Sequence, residues 1–398
     1  MSENIPTMAL HQAVDYIIGN CHLQLTQPEM GIPYMKGPPG IGKTQFIKQA
    51  ALSRGFNKVL PFHLSLIPLE DMSGIPQVIE VNDEQVLKYT DSKTVKGTQW
   101  TLPEILTKIY KASAENEKVI VLLDDFHIAS PGHVALGFEL FSERKFKDFK
   151  IPENVSFIVA GNDTTKSGDR KMYGAVINRF AIFKVFPDFD YWLNKFAIKQ
   201  SVNGKITSFL KNQINRKYFL EEENTMEPWA SPRSWTRLSY MINELEKFVD
   251  NIDMSVIQYL TCAHVGPQAA SEFTAYYNIY SKTEMDKVFD GKRAINIPND
   301  NTEMYIYSMA AANEYTNKVI EGVKSKKDSY VDIIIDIIIT IAQNNNEIAI
   351  SLMSTLTSYT VALNNKLHMR EIINKLKTKN ENVANMITTS LKDIISNL

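Results

Sequence analysis

Cysteine is scarce in this sequence, and neither sign of charge is in excess. Only two cysteines, Cys21 and Cys262, occur among 398 residues. A framework of disulfides is therefore excluded; a single bridge stays open, and a reducing compartment fits best. The formal net charge of −2 gives no support for a globally basic nucleic-acid binder, although a local basic patch stays open.

Long apolar runs are also missing. The most apolar segment, Ile333–Ile339, is interrupted by Asp336. Because a membrane helix needs about 20 apolar residues, this segment predicts a buried helix or strand. The first residues contain neither the basic part nor the apolar part of a signal peptide. We therefore expect a cytoplasmic protein without a membrane segment.

The chain is long enough for two or three domains. Its first half contains short, continuously apolar runs, which are typical of strands buried on both faces of a parallel sheet. The runs are Ile32–Met35, Val59–Leu66, Val119–Leu123, Val155–Ala160 and Phe180–Phe186. Helical patterns lie between them, the first over residues 7–19, and turn-rich segments at 73–98 and 142–154 predict hairpin insertions. After Pro187 only helical patterns follow, with a linker predicted over 286–300. We therefore expect domains at 1–187, 188–285 and 286–398.

A glycine loop carries the strongest chemical signal. It fits the pattern G-x-x-x-x-G-K-[ST] between a predicted strand and a predicted helix, and it reads Gly37, Pro38, Pro39, Gly40, Ile41, Gly42, Lys43 and Thr44. Backbone N–H groups converge on phosphate oxygens only where the chain takes positive φ and no Cβ intervenes. Lys43 is expected to reach the β- and γ-phosphates of a nucleotide, and Thr44 to ligate Mg²⁺. A chance match on a surface loop is the alternative.

Polar side chains follow two later strands. Asp124 and Asp125 come directly after Val119–Leu123, and Asn162 follows Val155–Ala160 and Gly161. An acid at the carboxyl end of a strand can hold Mg²⁺, for which Asp124 is the candidate. Asp125 would then orient or deprotonate the attacking water, and Asn162 would position it. Acidic residues and Gly-Asn pairs are also ordinary in turns. The histidines His63, His127 and His133 have no metal-ligand spacing, and structural roles are expected.

Together these motifs resemble the MoxR-like branch of the AAA+ ATPases, over about residues 8–280. Further stretches match in order: Pro68–Pro76, Thr98–Glu104, Ile151–Asn154, Asp169-Arg170, Asn178–Phe180, Pro187–Trp192 and Ser231–Arg233. The resemblance implies an α/β AAA+ P-loop fold with a parallel five-stranded sheet, a helical lid and a helical C-terminal extension. It also implies ATP and Mg²⁺ as cofactors.

The resemblance implies roles for three further residues. Asn162 matches the first sensor. Arg179 matches the arginine finger, which reaches the nucleotide of a neighbouring subunit, and Arg170 is a weaker candidate for such a contact. Arg233 matches the second sensor; Ser231 suits the N-cap and Pro232 the first position of its helix. A finger acting in trans implies a homo-oligomer, expected to be a hexameric ring.

One position departs from the family pattern. Family members usually carry Glu where this chain has Asp125. Aspartate is one methylene shorter, which places its carboxylate about 1.5 Å further from the water, and a displacement of that order can cost roughly 10²-fold in rate. We therefore expect Asp125 to make ATP hydrolysis slow.

The leading functional hypothesis is an ATP-driven remodeller, chaperone-like, acting on a protein partner such as a von Willebrand A-domain protein. A nucleic-acid motor or loader stays open, as does a switch ATPase that seldom turns over. The basic cluster Arg144–Lys147 is expected to be a solvated turn, or else a hairpin that touches the substrate. The last hundred residues match no known pattern. Recognition of the partner is the hypothesis for their role.

Overall fold

The computed structural model describes residues 6–90, 94–147, 149–162, 177–222, 226–249, 251–320, 327–363 and 366–392. The chain divides into two compact units, Met1–Asp188 and Phe189–Leu398. Each unit is described by itself below.

The first unit is built on a six-stranded sheet in which all neighbouring strands are parallel. Two antiparallel hairpins complete its strands. In chain order the strands are β1 (Thr7–Ala9), β2 (Ile32–Lys36), β3 (Lys58–His63), β4 (Pro76–Val81), β5 (Val95–Trp100), β6 (Val119–Asp124), β7 (Lys145–Phe146), β8 (Phe149–Lys150), β9 (Val155–Gly161) and β10 (Phe180–Phe186). The sheet order is β1-β10-β2-β9-β6-β3, so β2 lies at its centre between β10 and β9.

The five strands predicted from apolar runs are all present and adjacent. A sixth, β1, extends the sheet at one edge by pairing with β10. The helix predicted over residues 7–19 therefore begins three residues later, because Thr7–Ala9 are extended. The hairpins predicted at 73–98 and 142–154 are confirmed as β4–β5 and β7–β8.

Helices cover both faces of the sheet, which explains why most residues of its central strands are apolar. The α-helices in the described part of this unit are α1 (Leu10–Gln24), α2 (Lys43–Ser53), α3 (Leu69–Ser73), α4 (Glu84–Leu87), α5 (Glu104–Glu115) and α6 (Pro131–Ser142). Alternate residues of β6 and β9, such as Val121 and Phe157, join Ile109 of α5 in one core. Ser156, which precedes Phe157 on β9, donates from its hydroxyl to the carbonyl oxygen of Cys21 in α1 at 2.7 Å. Every residue of β6 and β9 is buried, as a sheet covered on both sides requires.

The described part of the second unit is helical. Its α-helices are α7 (Phe189–Trp192), α8 (Gly204–Lys211), α9 (Pro232–Phe248), α10 (Met254–Val265), α11 (Pro267–Lys282), α12 (Met285–Phe289), α13 (Asn301–Ile320), α14 (Lys327–Asn344), α15 (Asn346–Ala362), α16 (Lys366–Lys379) and α17 (Glu381–Ser390). Two apolar clusters hold them together, one centred on Trp235 and Phe273 and one on the isoleucines of α14.

In this unit the prediction for the apolar run Ile333–Ile339 is correct, whereas that for the linker 286–300 is partly wrong. The apolar run Ile333–Ile339 lies in α14, where Ile334, Ile335, Ile337 and Ile338 are fully buried, as predicted for a core element. The linker predicted over 286–300 is wrong at its start, because Met285–Phe289 is helical and its side chains join the α14 cluster. In the described residues, no helix combines the length and apolarity that crossing a membrane requires.

Candidate functional site

The glycine loop connects the central strand β2 to helix α2. Gly40 and Gly42 have φ of 78° and 92°, in the left-handed region that glycine enters without steric cost. Gly42 precedes the first residue of α2, Lys43. The backbone N–H groups of that first turn and the positive end of the helix therefore face the loop, which is the arrangement that binds phosphate.

Gly37 is required by close packing. A Cβ placed there would lie 2.5 Å from the carbonyl oxygen of Val185 and 2.7 Å from its Cγ2. The start of the loop is thus pressed against β10, the strand beside β2. Any other residue at this position would have to displace backbone.

The Lys43 ammonium is bound inside the loop. Lys43 is buried, with only 7% of its surface exposed. Nζ donates to the carbonyl oxygens of Gly37 at 2.8 Å and Pro38 at 2.9 Å. It also donates to Oδ1 of Asn162 at 3.0 Å. A positive charge is therefore held inside the glycine loop at the start of α2, in a setting that fits a polyphosphate.

Thr44 and Asp124 form a pair of oxygen ligands beside this lysine. The Thr44 hydroxyl donates to Oδ2 of Asp124 at 2.6 Å, and Asp124 is buried, with 8% exposure. The backbone N–H of Asp125 donates to the other oxygen, Oδ1, at 3.0 Å, which fixes the carboxylate. A hydroxyl and a carboxylate are ligands that Mg²⁺ prefers, so these two residues fit the predicted metal site.

Asp125 adopts a conformation that is unusual for a residue with a Cβ. Its φ is 57° and its ψ is 30°, the left-handed region, and residues held there cluster at functional sites. Its Oδ2 lies 3.2 Å from Nδ1 of His63, and both side chains are partly exposed. His63 ends β3 opposite Asp124 in the strand register. The second acid is therefore paired across the sheet edge with a histidine.

Asn162 completes the cluster from the end of β9. Besides the contact of its Oδ1 with Lys43, its backbone N–H donates to Nδ1 of His127 at 3.2 Å. The structure thus brings together Lys43, Thr44, Asp124 and Asn162, with Asp125 adjacent to Asp124. His63 and His127 also contact site residues, although the sequence predicted only structural roles for them. His133 bonds Ser130 and the carbonyl oxygen of Ile67, as a structural histidine does.

Arg179 lies at the amino end of the parallel strands, opposite to the end that carries the glycine loop. It precedes Phe180, which pairs with Ile32 at the start of β2, whereas the glycine loop follows the end of that strand. At a strand rise of about 3.3 Å per residue, Arg179, which is level with Gly31, lies roughly 20 Å along the sheet from Gly37. The guanidinium stacks over Phe138, with 5.0 Å between Cζ and the ring centroid, and the residue is exposed. Arg170 lies outside the described residues.

Arg233 is in the second unit, at the second position of α9. Ser231 is the N-cap, forming a capping box with Ser234, and Pro232 is the first helical residue. The predicted N-terminus of this helix is therefore confirmed. Arg233 is exposed.

The basic cluster Arg144–Lys147 is only partly solvated. The Arg144 guanidinium donates to the carbonyl oxygens of Pro152 and Val155, and Phe146 is fully buried. The Lys147 ammonium lies over the Trp100 ring of the other hairpin, 2.6 Å from its centroid. Arg144 and Phe146 are thus structural, and Lys147 joins the two hairpins.

Comparison with known proteins adds little at the level of sequence. No family model matches the chain, and no curated protein matches it. Among solved structures it is similar to the RuvB Holliday junction branch migration motor of Thermotoga maritima, with 12% identity, a TM-score of 0.34, and coverage of 73% of this chain and 80% of that one. A single-residue variant of that RuvB gives 13% identity, a TM-score of 0.35, and coverage of 75% and 84%.

The strand, glycine loop and helix of residues 32–53 are the elements that define a P-loop. The chain has a P-loop fold. The predicted fold class is confirmed in its architecture, an α/β unit with a parallel central sheet followed by a helical region. These likenesses are too distant to assign an activity, so function is argued below from the site residues.

Proposed function

We propose that this protein is an AAA+ ATPase that binds ATP with Mg²⁺ and hydrolyses it. One observation carries the proposal. Lys43, the Thr44–Asp124 pair and Asn162 converge at the carboxyl edge of the sheet, with Lys43 Nζ bonded to Asn162 at 3.0 Å and Thr44 bonded to Asp124 at 2.6 Å. They come from the ends of three adjacent strands, which a structural turn does not require.

Each residue has a part in phosphoryl transfer, which depends mostly on positioning and on stabilising charge. Bound Mg²⁺ would neutralise charge on the β- and γ-phosphates. Thr44 and Asp124 would hold that ion, and Lys43 with the loop amides would hold the phosphate oxygens. Asp125 would orient or deprotonate the attacking water. Asn162, already bonded to Lys43, would position that water against the γ-phosphate.

The proposal extends to an oligomeric ring, expected to be a hexamer. Arg179 is about 20 Å along the sheet from the loop of its own subunit, and it is exposed. It therefore suits a contact with the nucleotide of a neighbour, where an arginine supplied in trans can raise the rate by about 10³–10⁵. Arg233, exposed in the first turn of α9, is proposed as the second sensor.

A protein partner is proposed as the substrate of this motor. The support is the resemblance of the ordered motifs to MoxR-like ATPases, which are often paired with von Willebrand A-domain proteins. The partner would be remodelled as hydrolysis moves the ring.

A second candidate function is a nucleotide-gated switch that turns over slowly. The pairing of Asp125 with His63 at 3.2 Å favours it, because a neighbouring side chain already engages the short carboxylate. The switch would bind ATP in the same site, so the two candidates differ only in rate.

Steady-state ATP hydrolysis and ATP binding, measured on the same preparations, test the proposal. Lys43→Ala is expected to lose binding, and Asn162→Ala to retain most binding while hydrolysis falls by about 10²-fold or more, by analogy with loss of one stabilising donor. Lys292→Ala, a lysine whose side chain is 72% exposed, is the matched control and should behave as wild type. Equal binding by Lys43→Ala and wild type would refute the nucleotide site.

A further inference from the structure

One peptide group of the site is held from both sides. The carbonyl oxygen of Gly161 accepts from the backbone N–H of Gly37 at 3.3 Å. The N–H of the same peptide group, that of Asn162, donates to Nδ1 of His127 at 3.2 Å. Because a peptide group is planar, bonds to its two ends fix its orientation and so set where the Asn162 side chain begins.

The His127 imidazole accepts a hydrogen bond just beyond the end of the pairing between β6 and β9. Pairing between β6 and β9 runs from Val119 with Val155 to Leu123 with Val159, and β6 ends at Asp124. Asn162 therefore lies beyond the last paired residue of β9. His127 stands in the short 3-10 turn Phe126–Ile128 that follows the two acids, and its ring supplies an acceptor where the neighbouring strand offers none in register.

Gly161 permits this approach. A Cβ at position 161 would lie 2.6 Å from the Tyr34 hydroxyl and 3.3 Å from His127 Nδ1. The imidazole therefore packs directly over the backbone of the residue before Asn162. The contact therefore depends on glycine at position 161, at the end of the strand.

We propose that His127 is a positioning residue for hydrolysis, which fixes Asn162 through its backbone and links the turn that follows Asp124 and Asp125 to the glycine loop. The inference rests on the proposed function. The hydrogen bond from the Asn162 N–H to Nδ1 is the route by which His127 would act on the rate. An acceptor at Nδ1 requires the neutral ring to carry its proton on Nε2.

Three variants at one position separate an acceptor from mere bulk. His127→Asn keeps an acceptor, its amide oxygen, close to where Nδ1 stands, whereas His127→Phe keeps a ring without an acceptor and His127→Ala removes both. A misplacement of about 1 Å can cost roughly 10²-fold in rate. We therefore expect kcat to fall about 10- to 100-fold in the Phe and Ala variants, with KM and the affinity for a non-hydrolysable ATP analogue changed less than about threefold. The Asn variant should keep kcat within about threefold of wild type.

A second readout needs no variant to fold well. In the wild-type protein labelled with ¹⁵N-histidine, the Nδ1 resonance of His127 should report an unprotonated nitrogen that accepts a hydrogen bond. A protonated Nδ1, or an Asn variant as slow as the Phe variant, overturns the proposal. If instead wild type and Lys43→Ala bind ATP equally, the proposed function fails while the nitrogen measurement still tests the contact of His127.

Discussion

At the scale of single residues, the glycine loop makes the clearest demand on side-chain size. Gly37 has backbone and side-chain atoms of Val185 within 2.7 Å of where a Cβ would stand. Gly19, in α1, has nothing within 4 Å. The two glycines therefore form a matched pair in which the same substitution has opposite consequences.

We expect Gly37→Ala to abolish measurable ATP binding and to destabilise the first unit, because the added methyl cannot be placed without moving β10. Gly19→Ala should bind ATP normally and gain about 0.5–1 kcal/mol of stability, as alanine is favoured over glycine inside a helix. Calorimetric titration with ATP and thermal unfolding measure both effects. Normal binding by Gly37→Ala would show that the loop geometry described here is wrong.

Asp125 gives a second prediction at this scale. Asp125→Glu lengthens the side chain by one methylene, which carries the carboxylate about 1.5 Å further out. If distance to the water limits turnover, the hydrolysis rate should rise, by up to about 10²-fold. An exposed aspartate, Asp328 at 84% side-chain exposure, provides the Asp→Glu control. An unchanged rate in Asp125→Glu would remove the slow-switch candidate on this ground.

The sequence revealed those site residues that directly follow strands. Thr44, Asp124 and Asn162 could be predicted because polar side chains after buried apolar runs meet at one edge of a parallel sheet. His63 and His127 could not. Their contacts depend on which strands are neighbours and on the left-handed turn at Asp125, and a lone histidine carries no spacing signal. The only available clue was that His63 ends a strand and that His127 follows Asp125 by two positions.

At the scale of elements, strand prediction worked where burial was complete. The strands β6 and β9 are buried at every residue, so their sequences are apolar apart from Asp124 and Ser156. The strand β1 is only three residues long, and its pairing partners, Lys184 to Phe186, are distant in sequence. A three-residue segment beside a helical pattern shows no period of its own, which explains why it was assigned to the helix.

Lys211 joins two helices of the second unit and makes stability depend on pH. Its ammonium donates to the Thr355 hydroxyl at 2.8 Å, connecting α8 to α15. Burial lowers the pKa of Lys211 from 10.5 to about 8, with the nearby charge of Asp190 opposing that shift and Arg216 adding to it. The folded state therefore binds fewer protons than the unfolded state between pH 8 and 10.5.

It follows that the free energy of unfolding should rise with pH through this window. The cost of the buried charge is fully present below pH 8 and is relieved above it, by at most about 3 kcal/mol. Urea unfolding at pH 7.5 and 9.5 of wild type and Lys211→Met, which cannot titrate, isolates the effect. Wild type should gain on the variant as pH rises; a constant difference between the two would contradict a depressed pKa.

At the scale of the whole molecule, the account requires sites shared between subunits. Arg179 and the glycine loop lie at opposite ends of the adjacent strands β10 and β2. If Arg179 is the finger, one subunit therefore cannot form a complete ATPase site by itself. Two defective variants should then repair each other. Asp124→Asn lacks the metal ligand but carries Arg179, and Arg179→Ala has the reverse defect.

We expect each variant alone to lose at least about 10²-fold in ATPase rate, given what a trans arginine contributes. An equal mixture should recover up to about a quarter of wild-type activity if subunits exchange at random and each site needs one intact residue from either side. Mixing must precede assembly, and a mixture of Asp124→Asn with Lys43→Ala, two defects in the same half-site, is the control. Equal activity in the two mixtures would argue against a shared site.

The central claim is that the glycine loop, Asp124 and Asn162 form one site for ATP and Mg²⁺. Titration calorimetry with ATP, in the presence and absence of Mg²⁺, on wild type and Thr44→Val tests it most directly. The variant keeps the shape of the side chain but loses the hydroxyl that bonds Asp124 at 2.6 Å. Binding should be tightened by Mg²⁺ in wild type and not in Thr44→Val. Absence of ATP binding by wild type, or equal Mg²⁺ dependence in both proteins, would contradict the account.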